Sequence, residues 1–178
     1  MSEIDGLVVV HPKTWADSRG FFVESFRKEW LPDGAPEMVQ GNHVRRQAGT
    51  VVGPHFHFHQ ADWWYLIAGR ARYVFHDLRT GSPTEGATVV LDVDGDAEHV
   101  GVYVPPGVAH GFSALTDVVL TYLVDGYYDP SDEHGIAHDD PELRVDWGVS
   151  SPILSDRDRA NPKKAELARR PPASAPSR

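Results

Sequence analysis

The chain has 178 residues, 40% of them hydrophobic and 24% charged, with a formal net charge of −9. This composition is ordinary for one globular domain, and the acidic balance argues against a nucleic-acid partner, although a few local arginines could still hold an anionic small molecule. The absence of cysteine excludes disulfides and thiolate zinc sites, and it fits the reducing cytoplasm in which we expect the protein. The acidic residues 1–5 predict no secretory signal, and no apolar run reaches the ~20 residues that a membrane span needs.

The body of the chain predicts many short strands and an all-β fold. Runs rich in β-branched and aromatic residues predict strands at Leu7–Val10, Phe21–Phe26, Met38–Val44, Trp64–Ala68, Ala71–Asp77, Ala87–Leu91, Val100–Val104 and Val118–Val124. Turn residues at Ala68–Arg70 and Asp92–Asp96 predict hairpins between neighbouring strands. No amphipathic helical segment of ten residues precedes Lys163, which favours a sandwich or a barrel.

The two ends of the chain differ in composition. We assign residues 1–160 to the β domain and residues 161–178 to a basic tail rich in proline, alanine and serine. Within the tail, Lys163–Arg170 could form a short helix, and Pro171–Arg178 is expected to be disordered.

A histidine-rich stretch at residues 53–60 is the main functional signal. It alternates three histidines with two phenylalanines: His55, Phe56, His57, Phe58 and His59. Because successive side chains of a strand point to opposite faces, we expect the three histidines to share one face and to line a pocket. They could bind a metal or move a proton.

The spacing around this stretch resembles the two signature motifs of the cupin superfamily. The first reads Gly49-x5-His55-x-His57-x4-Asp62-x6-Gly69, and the second reads Pro105-x-Gly107-x2-His110. In metal-binding cupins the matched positions are the ligands, which here are His55, His57, Asp62 and His110. Such a set can enclose a divalent ion and leave coordination positions open. Asp62 replaces the usual glutamate, and Ala114 replaces the usual asparagine of the second motif.

A second resemblance covers nearly the whole chain. The matching pieces, in order, are Asp17–Glu24, Gln40–His43, Gly53-x-His55, Asp77–Gly86, Pro106–Phe112, Tyr122 with Gly126–Tyr128, Asp139–Pro141 and Leu154–Asp158. This series is similar to the dTDP-4-dehydrorhamnose 3,5-epimerase family. The resemblance implies a cupin-type jelly-roll barrel, a homodimer, and an isomerase that needs no metal or other cofactor.

The resemblance also implies a role for each matched residue. That family abstracts protons at C3 and C5 of a dTDP-4-keto-6-deoxyhexose, in deoxysugar biosynthesis, and reprotonates the opposite face. His55 matches the base, Asp158 its carboxylate partner and Tyr122 the acid. These types suit the chemistry, since imidazole titrates near neutral pH and a carboxylate raises its basicity. The positions that match substrate contacts are Arg19, Glu24, Gln40, Asn42, His110, Tyr127 and Arg157.

Two departures from the family pattern surround the base. Val52 stands at the position of the family's arginine, and counting back from Gly69 places Asp62 at the position of its lysine. An oxyanion needs a donor or a cation, which can contribute ~3–4 kcal/mol to transition-state stabilisation. The departures therefore leave three hypotheses besides the full reaction. The first hypothesis is that the enzyme inverts one centre instead of two. The second is that a metal held by the extra ligands polarises the ketone, as in a metal-dependent cupin isomerase or oxygenase. The third is that the chain binds a nucleotide sugar without turnover.

Overall fold

The computed structural model describes residues 4–173, which form two five-stranded antiparallel sheets and a separate hairpin. The strands are β1 (Val8–Val10), β2 (Thr14–Asp17), β3 (Gly20–Val23), β4 (Gln40–Arg46), β5 (Val51–Phe56), β6 (Asp62–Ala68), β7 (Arg70–Asp77), β8 (Thr88–Asp94), β9 (Gly101–Val104), β10 (Val108–Ala114), β11 (Val118–Val124) and β12 (His134–Gly135). One sheet has the order β1-β9-β6-β11-β4, and the other has the order β12-β5-β10-β7-β8. Strands β2 and β3 pair with each other.

The main core lies between the two sheets. Trp64 of β6 is at its centre, with its ring 5.2 Å from that of Tyr73 and 5.9 Å from that of Phe112, both of the opposite sheet. Leu66, Leu120 and residues of β9 complete the first wall of the same buried cluster. The inward positions alternate along the strands, so period-two patterning determines which side chains meet between the sheets.

The hairpins predicted at Ala68–Arg70 and Asp92–Asp96 are wrong. Each turn joins strands of different sheets, because β6 and β9 lie in the first sheet and β7 and β8 in the second. A turn signal shows that the chain reverses, but not whether it stays in one sheet. At Gly69 the backbone φ is +80°, and a Cβ atom would lie 2.0 Å from the Asp117 carbonyl oxygen, so this crossing requires glycine.

The eight strand predictions all correspond to observed strands. Val118–Val124 matches β11 at both ends, and the other seven differ at one end or both. Four strands were not among them. β2 is short and exposed, and β12 has two residues. β5 and β10 carry histidines of the two motifs that we interpreted as signatures of a functional site. Strand β5 ends at Phe56.

The C-terminal region contains little helix. It contains one α-helix, α1 (Asp156–Ala160). Where the sequence suggested a short helix over Lys163–Arg170, the structure has a single 3₁₀ turn at Lys164–Glu166. Another 3₁₀ turn lies near the N-terminus, at Lys28–Trp30. Residues 171–173 run beside Thr80, whose amide donates to the Pro171 carbonyl at 2.8 Å. Residues 174–178 of the tail that we expected to be disordered lie outside the described residues. No helix within residues 4–173 has the length and apolar character required to cross a bilayer.

Candidate active site

A cavity of about 430 Å³ lies between the sheets and collects most of the residues singled out by the sequence. Its lining is Gln40, Asn42, Val44, Arg46, Val52, His55, His57, Gln60, Asp62, Trp64, His110, Phe112, Leu120, Tyr122, Val124, Tyr128, Glu133 and Arg157. The β4 and β11 members alternate along their strands, as inward-facing residues must. Polar groups thus converge above an apolar floor, which is the usual character of a small-molecule site.

His55 is paired with a buried carboxylate. Its Nε2 atom lies 2.6 Å from Oδ1 of Asp158, which is only 5% exposed. Asp158 is held by α1, where the Ser155 hydroxyl donates to its Oδ2 at 2.7 Å and accepts from its backbone amide. Burial raises the pKa of Asp158, but the hydrogen bonds from His55 and Ser155 outweigh burial and leave it below the ordinary value. The carboxylate is therefore ionised at neutral pH and supports His55 as a base.

Strand β5 approaches β10 closely at this point. Gly53 has a φ of +77°, and a Cβ atom there would lie 2.9 Å from the His110 carbonyl oxygen. Only glycine fits both conditions, and the approach places His55 opposite His110 in the strand register. Glycine at position 53 therefore helps to position His55.

Tyr122 lies on the facing sheet. Its strand neighbours are Asn42 on β4 and Trp64 on β6. Burial raises the pKa of Tyr122, the negative charges of Asp62 and Glu133 raise it further, and Arg46 opposes them. The phenol is protonated at neutral pH, so it can donate a proton into the cavity from the wall opposite His55.

A second polar group, formed by His57, Asp62 and His110, lies in the same cavity. One side-chain nitrogen or oxygen of each lies within 4.8 Å of the other two, and all three residues are buried. Burial lowers the pKa of His110 to about 4, although the Asp62 carboxylate acts in the opposite direction, so the ring is uncharged at neutral pH. The four-ligand set that included His55 is not assembled within residues 4–173, because His55 pairs with Asp158 and lies outside this group.

The expectation that all three histidines share one face is wrong for His59. Because β5 ends at Phe56, the alternation does not continue, and His59 is exposed in a different depression lined by Phe56 and Phe58. The Asp132 carboxylate accepts from the backbone amides of Phe58 and His59 and holds this turn. Of the three histidines in this stretch, His55 and His57 line the cavity and His59 does not.

The residues expected to contact substrate divide into two groups. Gln40, Asn42, His110 and Arg157 line the cavity, and Arg157 is ion-paired with Glu133 at 2.5 Å.

The other three, Arg19, Glu24 and Tyr127, lie away from the cavity of their own chain. Arg19 sits at the tip of the β2–β3 hairpin, 2.6 Å from Asp17, and its side chain is 86% exposed. Tyr127 is 77% exposed, and its neighbour Tyr128 reaches the cavity instead.

Sequence reasoning missed several lining residues, above all Arg46. From the sequence we did not place Arg46 in the site. The signal was present, because Arg46 continues the alternation of Gln40, Asn42 and Val44 along β4. Gln60 and Glu133 lie in irregular segments, where no periodicity predicts the direction of a side chain.

Comparison with known proteins agrees with this geometry. Residues 1–166 match the dTDP-4-dehydrorhamnose 3,5-epimerase family. A dTDP-4-dehydrorhamnose 3,5-epimerase of Shigella flexneri is 31% identical over 164 residues, 88% of this chain and 90% of that protein. A dTDP-4-dehydrorhamnose 3-epimerase of Streptomyces niveus is 37% identical over 163 residues, 88% of this chain and 78% of that protein.

Solved structures show the same fold. The dTDP-6-deoxy-D-glucose-3,5-epimerase RmlC of Legionella pneumophila Philadelphia 1, in complex with dTDP-4-keto-L-rhamnose, has a TM-score of 0.90 at 33% identity, covering 98% of this chain and 97% of that one. NovW, a 4-keto-6-deoxy sugar epimerase of Streptomyces spheroides, has a TM-score of 0.85 at 34% identity, and the match covers 92% of this chain and 85% of that one.

The fold and the site define an isomerase built on a cupin-type jelly roll, so the predicted fold class and enzyme class are confirmed. The chain belongs to the dTDP-4-dehydrorhamnose 3,5-epimerase family.

Proposed function

We propose that the protein epimerises a dTDP-4-keto-6-deoxyhexose at C3, at C5 or at both, for deoxysugar biosynthesis. The observation that carries this proposal is that an imidazole paired with a carboxylate and a protonated phenol face one cavity from its two walls. His55, paired with Asp158, belongs to one sheet, and Tyr122 belongs to the other. The substrate class is supported by the relatives, which are named for dTDP-linked keto sugars.

The reaction follows from the acidity of a carbon beside a ketone. His55 takes the proton from C3 or C5, the electron pair of that C–H bond forms a double bond to C4, and the π electron pair of the carbonyl moves onto the C4 oxygen. Asp158 stabilises the imidazolium that forms. Tyr122 then delivers a proton to the same carbon from the opposite face, and the electron pair returns from oxygen to carbon. The configuration is inverted, and no oxidant or reductant is consumed.

The nucleotide would extend from the sugar towards Gln40, Asn42 and Arg157, which line the cavity. Arg157 supplies a positive charge for the diphosphate, because guanidinium groups bind phosphate oxygens well. His110 would contact the sugar or its phosphate from the neighbouring strand.

We further propose that the active form is a homodimer. The β2–β3 hairpin exposes Trp15, Phe21 and Phe22 at 44%, 61% and 64%, an apolar surface unusual for a two-stranded hairpin in water. The same hairpin region carries Arg19 and Glu24, which lie far from their own cavity. Docking of the hairpin on a second copy would cover this aromatic surface. It would also bring Arg19 and Glu24 to the partner's nucleotide site, where the ring of Tyr127 would stack on the base.

The deciding experiment is solvent exchange. Wild-type protein is incubated with dTDP-4-keto-6-deoxyglucose in deuterated water, and incorporation at C3 and C5 is followed by NMR. Deuterium at one carbon indicates a mono-epimerase, and deuterium at both indicates the 3,5-reaction. His55→Asn should abolish exchange without weakening dTDP binding. Tight binding by the wild type with no exchange at either carbon would overturn catalysis and leave a nucleotide-sugar binder.

A further inference from the structure

Helix α1 is held to the barrel by two consecutive side chains. Asp158 bonds to His55 of β5. Nη1 of Arg157 donates to Oε2 of Glu133 at 2.5 Å. Within the described part of the chain, the other side chains of α1 form hydrogen bonds and ion pairs only inside residues 154–159. A five-residue helix is not stable by itself, so its position depends on these two contacts and on packing.

Both contacts are made with one pair of strands. Glu133 directly precedes β12, and Gly135 of β12 lies opposite His55 of β5 in the strand register. The end of α1 packs closely here, because a Cβ atom at Gly135 would lie 2.5 Å from the side-chain amide nitrogen of Asn161. Strand pairing therefore holds Glu133 near His55, and α1 lies across both strands.

The orientation of Arg157 depends on Glu133. The side chain of Arg157 is 43% exposed, whereas that of Glu133 is 20% exposed. Among residues 4–173, Glu133 is the only carboxylate that pairs with Arg157. The one other contact, from Nη2 to the His134 carbonyl oxygen at 3.5 Å, is longer than an ordinary hydrogen bond. An arginine side chain has many rotamers, so removal of Glu133 would release the guanidinium.

We propose that Glu133 is a positioning residue for the reaction. It holds Arg157, and through α1 it keeps Asp158 on His55. One ion pair thereby orients both the cation that meets the diphosphate and the carboxylate that supports the base. The catalytic consequence rests on the proposed function, whereas the link from Glu133 to the contact between His55 and Asp158 is a property of the free protein.

Glu133 also acts on Tyr122, but with the opposite consequence. Its negative charge raises the pKa of Tyr122, so loss of that charge makes the phenol a stronger acid. If this were its whole role, kcat in Glu133→Gln would equal or exceed that of the wild type. The positioning role predicts a kcat lower by roughly 10- to 100-fold, because a small misplacement of reacting groups is costly. The sign of the change separates the two roles.

The test follows the His55 ring in the free protein. A carboxylate only accepts, so Nε2 of His55 donates to Asp158. NMR of protein labelled with nitrogen-15 detects this proton while the carboxylate holds it, and its absence in His55→Asn assigns the signal. We expect the proton to exchange with water at least ~10-fold faster in Glu133→Gln and in Arg157→Met, because the contact opens more often.

Glu142→Gln is the matched control. Glu142 pairs with Lys164 at 2.9 Å, further along the C-terminal segment, and does not line the cavity, so this variant should keep the wild-type exchange rate. Circular dichroism and thermal melting establish that each variant folds. In the double variant of Glu133→Gln and Arg157→Met, neither the exchange rate nor kcat should differ from Arg157→Met alone, because Glu133 acts through Arg157.

An unchanged exchange rate in Glu133→Gln, or effects that add in the double variant, would overturn the inference. If Glu133→Gln does not fold, Arg157→Met decides, since the same link runs through that residue. Failure of the proposed function gives a different result: the wild type then incorporates no deuterium into the substrate at either carbon. The exchange rates of the His55 proton still decide whether Glu133 positions Asp158.

Discussion

Nε2 of His55 lies 2.6 Å from Oδ1 of Asp158, although 103 positions separate the two residues in the chain. The contact depends on α1 folding against β5, with Ser155 capping the helix and holding the carboxylate. A base on a strand and its partner on a helix are thus aligned by the packing of the C-terminal segment on the barrel. Substitutions in the C-terminal segment should therefore affect catalysis through this hydrogen bond between His55 and Asp158.

Removing the negative charge of Asp158 should disable the base. In Asp158→Asn, the imidazolium loses its charged partner and the amide can impose the wrong tautomer, so we expect kcat to fall roughly 10²- to 10⁴-fold. The measurement is deuterium exchange under saturating substrate. Asp156→Asn is the control, because its exposed carboxylate lies on the same helix and does not reach His55. Equal rates in wild type and Asp158→Asn would refute the pairing.

Removing the Tyr122 hydroxyl should separate proton removal from inversion. In Tyr122→Phe, His55 can still take a proton and return one to the same face, so deuterium should enter the substrate with retained configuration. We expect epimer formation to drop at least ~100-fold, the lower end of what a positioned acid contributes. Tyr103→Phe, buried on β9 outside the cavity lining, is the control. Undiminished inversion in Tyr122→Phe would assign the acid to another group.

The positive charge of Arg46 should strengthen Tyr122 as an acid by lowering its pKa. Because Arg46 lowers the pKa of Tyr122 against the charges of Asp62 and Glu133, Arg46→Met should raise it further and make the tyrosine a weaker acid. We expect kcat to fall, because a weaker acid delivers its proton more slowly. Arg46→Lys should retain most activity. Arg45→Met is the control, since Arg45 lies outside the cavity lining. The measurements are kcat and a spectroscopic titration of tyrosine. An equal loss of kcat in Arg46→Met and Arg45→Met would contradict a specific role for Arg46.

His76 should make stability depend on pH. It is fully buried, its Nδ1 lies 2.8 Å from the Thr88 hydroxyl, and burial lowers its pKa to about 4. The unfolded chain, with an ordinary pKa near 6.5, takes up a proton first as pH falls. The free energy of unfolding therefore decreases between pH ~6.5 and ~4, by at most roughly 3 kcal/mol from this residue.

Urea unfolding at several pH values measures this effect. His76→Gln should show a shallower decrease than the wild type over the same window, whatever its stability at neutral pH. Taking the difference between the two proteins removes the contributions of other groups, such as His110. Parallel pH profiles for the two proteins would show that His76 does not titrate differently on folding.

The hairpin aromatics should hold the proposed dimer together. Replacing Phe21 and Phe22 by serine removes apolar surface that is 61% and 64% exposed in one chain, so it should cost little folding free energy. Sedimentation equilibrium should show dissociation, with weaker dTDP binding because Arg19 no longer reaches the partner. Val90→Ser, at an exposed apolar position on β8, is the control. A wild type that is monomeric at micromolar concentration would rule out the dimer.

The order of motifs in the sequence was sufficient to predict the family and the β fold. It also predicted that His55 pairs with Asp158, and the structure shows this contact. Alternation along β4 also contained the information that Arg46 faces inward with Gln40 and Asn42. These features are local or depend on residue type, so they can be read without coordinates.

Only the tertiary structure decided where the histidine stretch stops being a strand. Because β5 ends at Phe56, the alternation that places His55 and His57 in the cavity does not extend to His59, which turns away from it. It also decided that two predicted hairpins cross between sheets, and that His57, Asp62 and His110 meet without His55. These outcomes depend on which strands pair and how the sheets pack, and long-range contacts of that kind leave no periodic trace in the sequence.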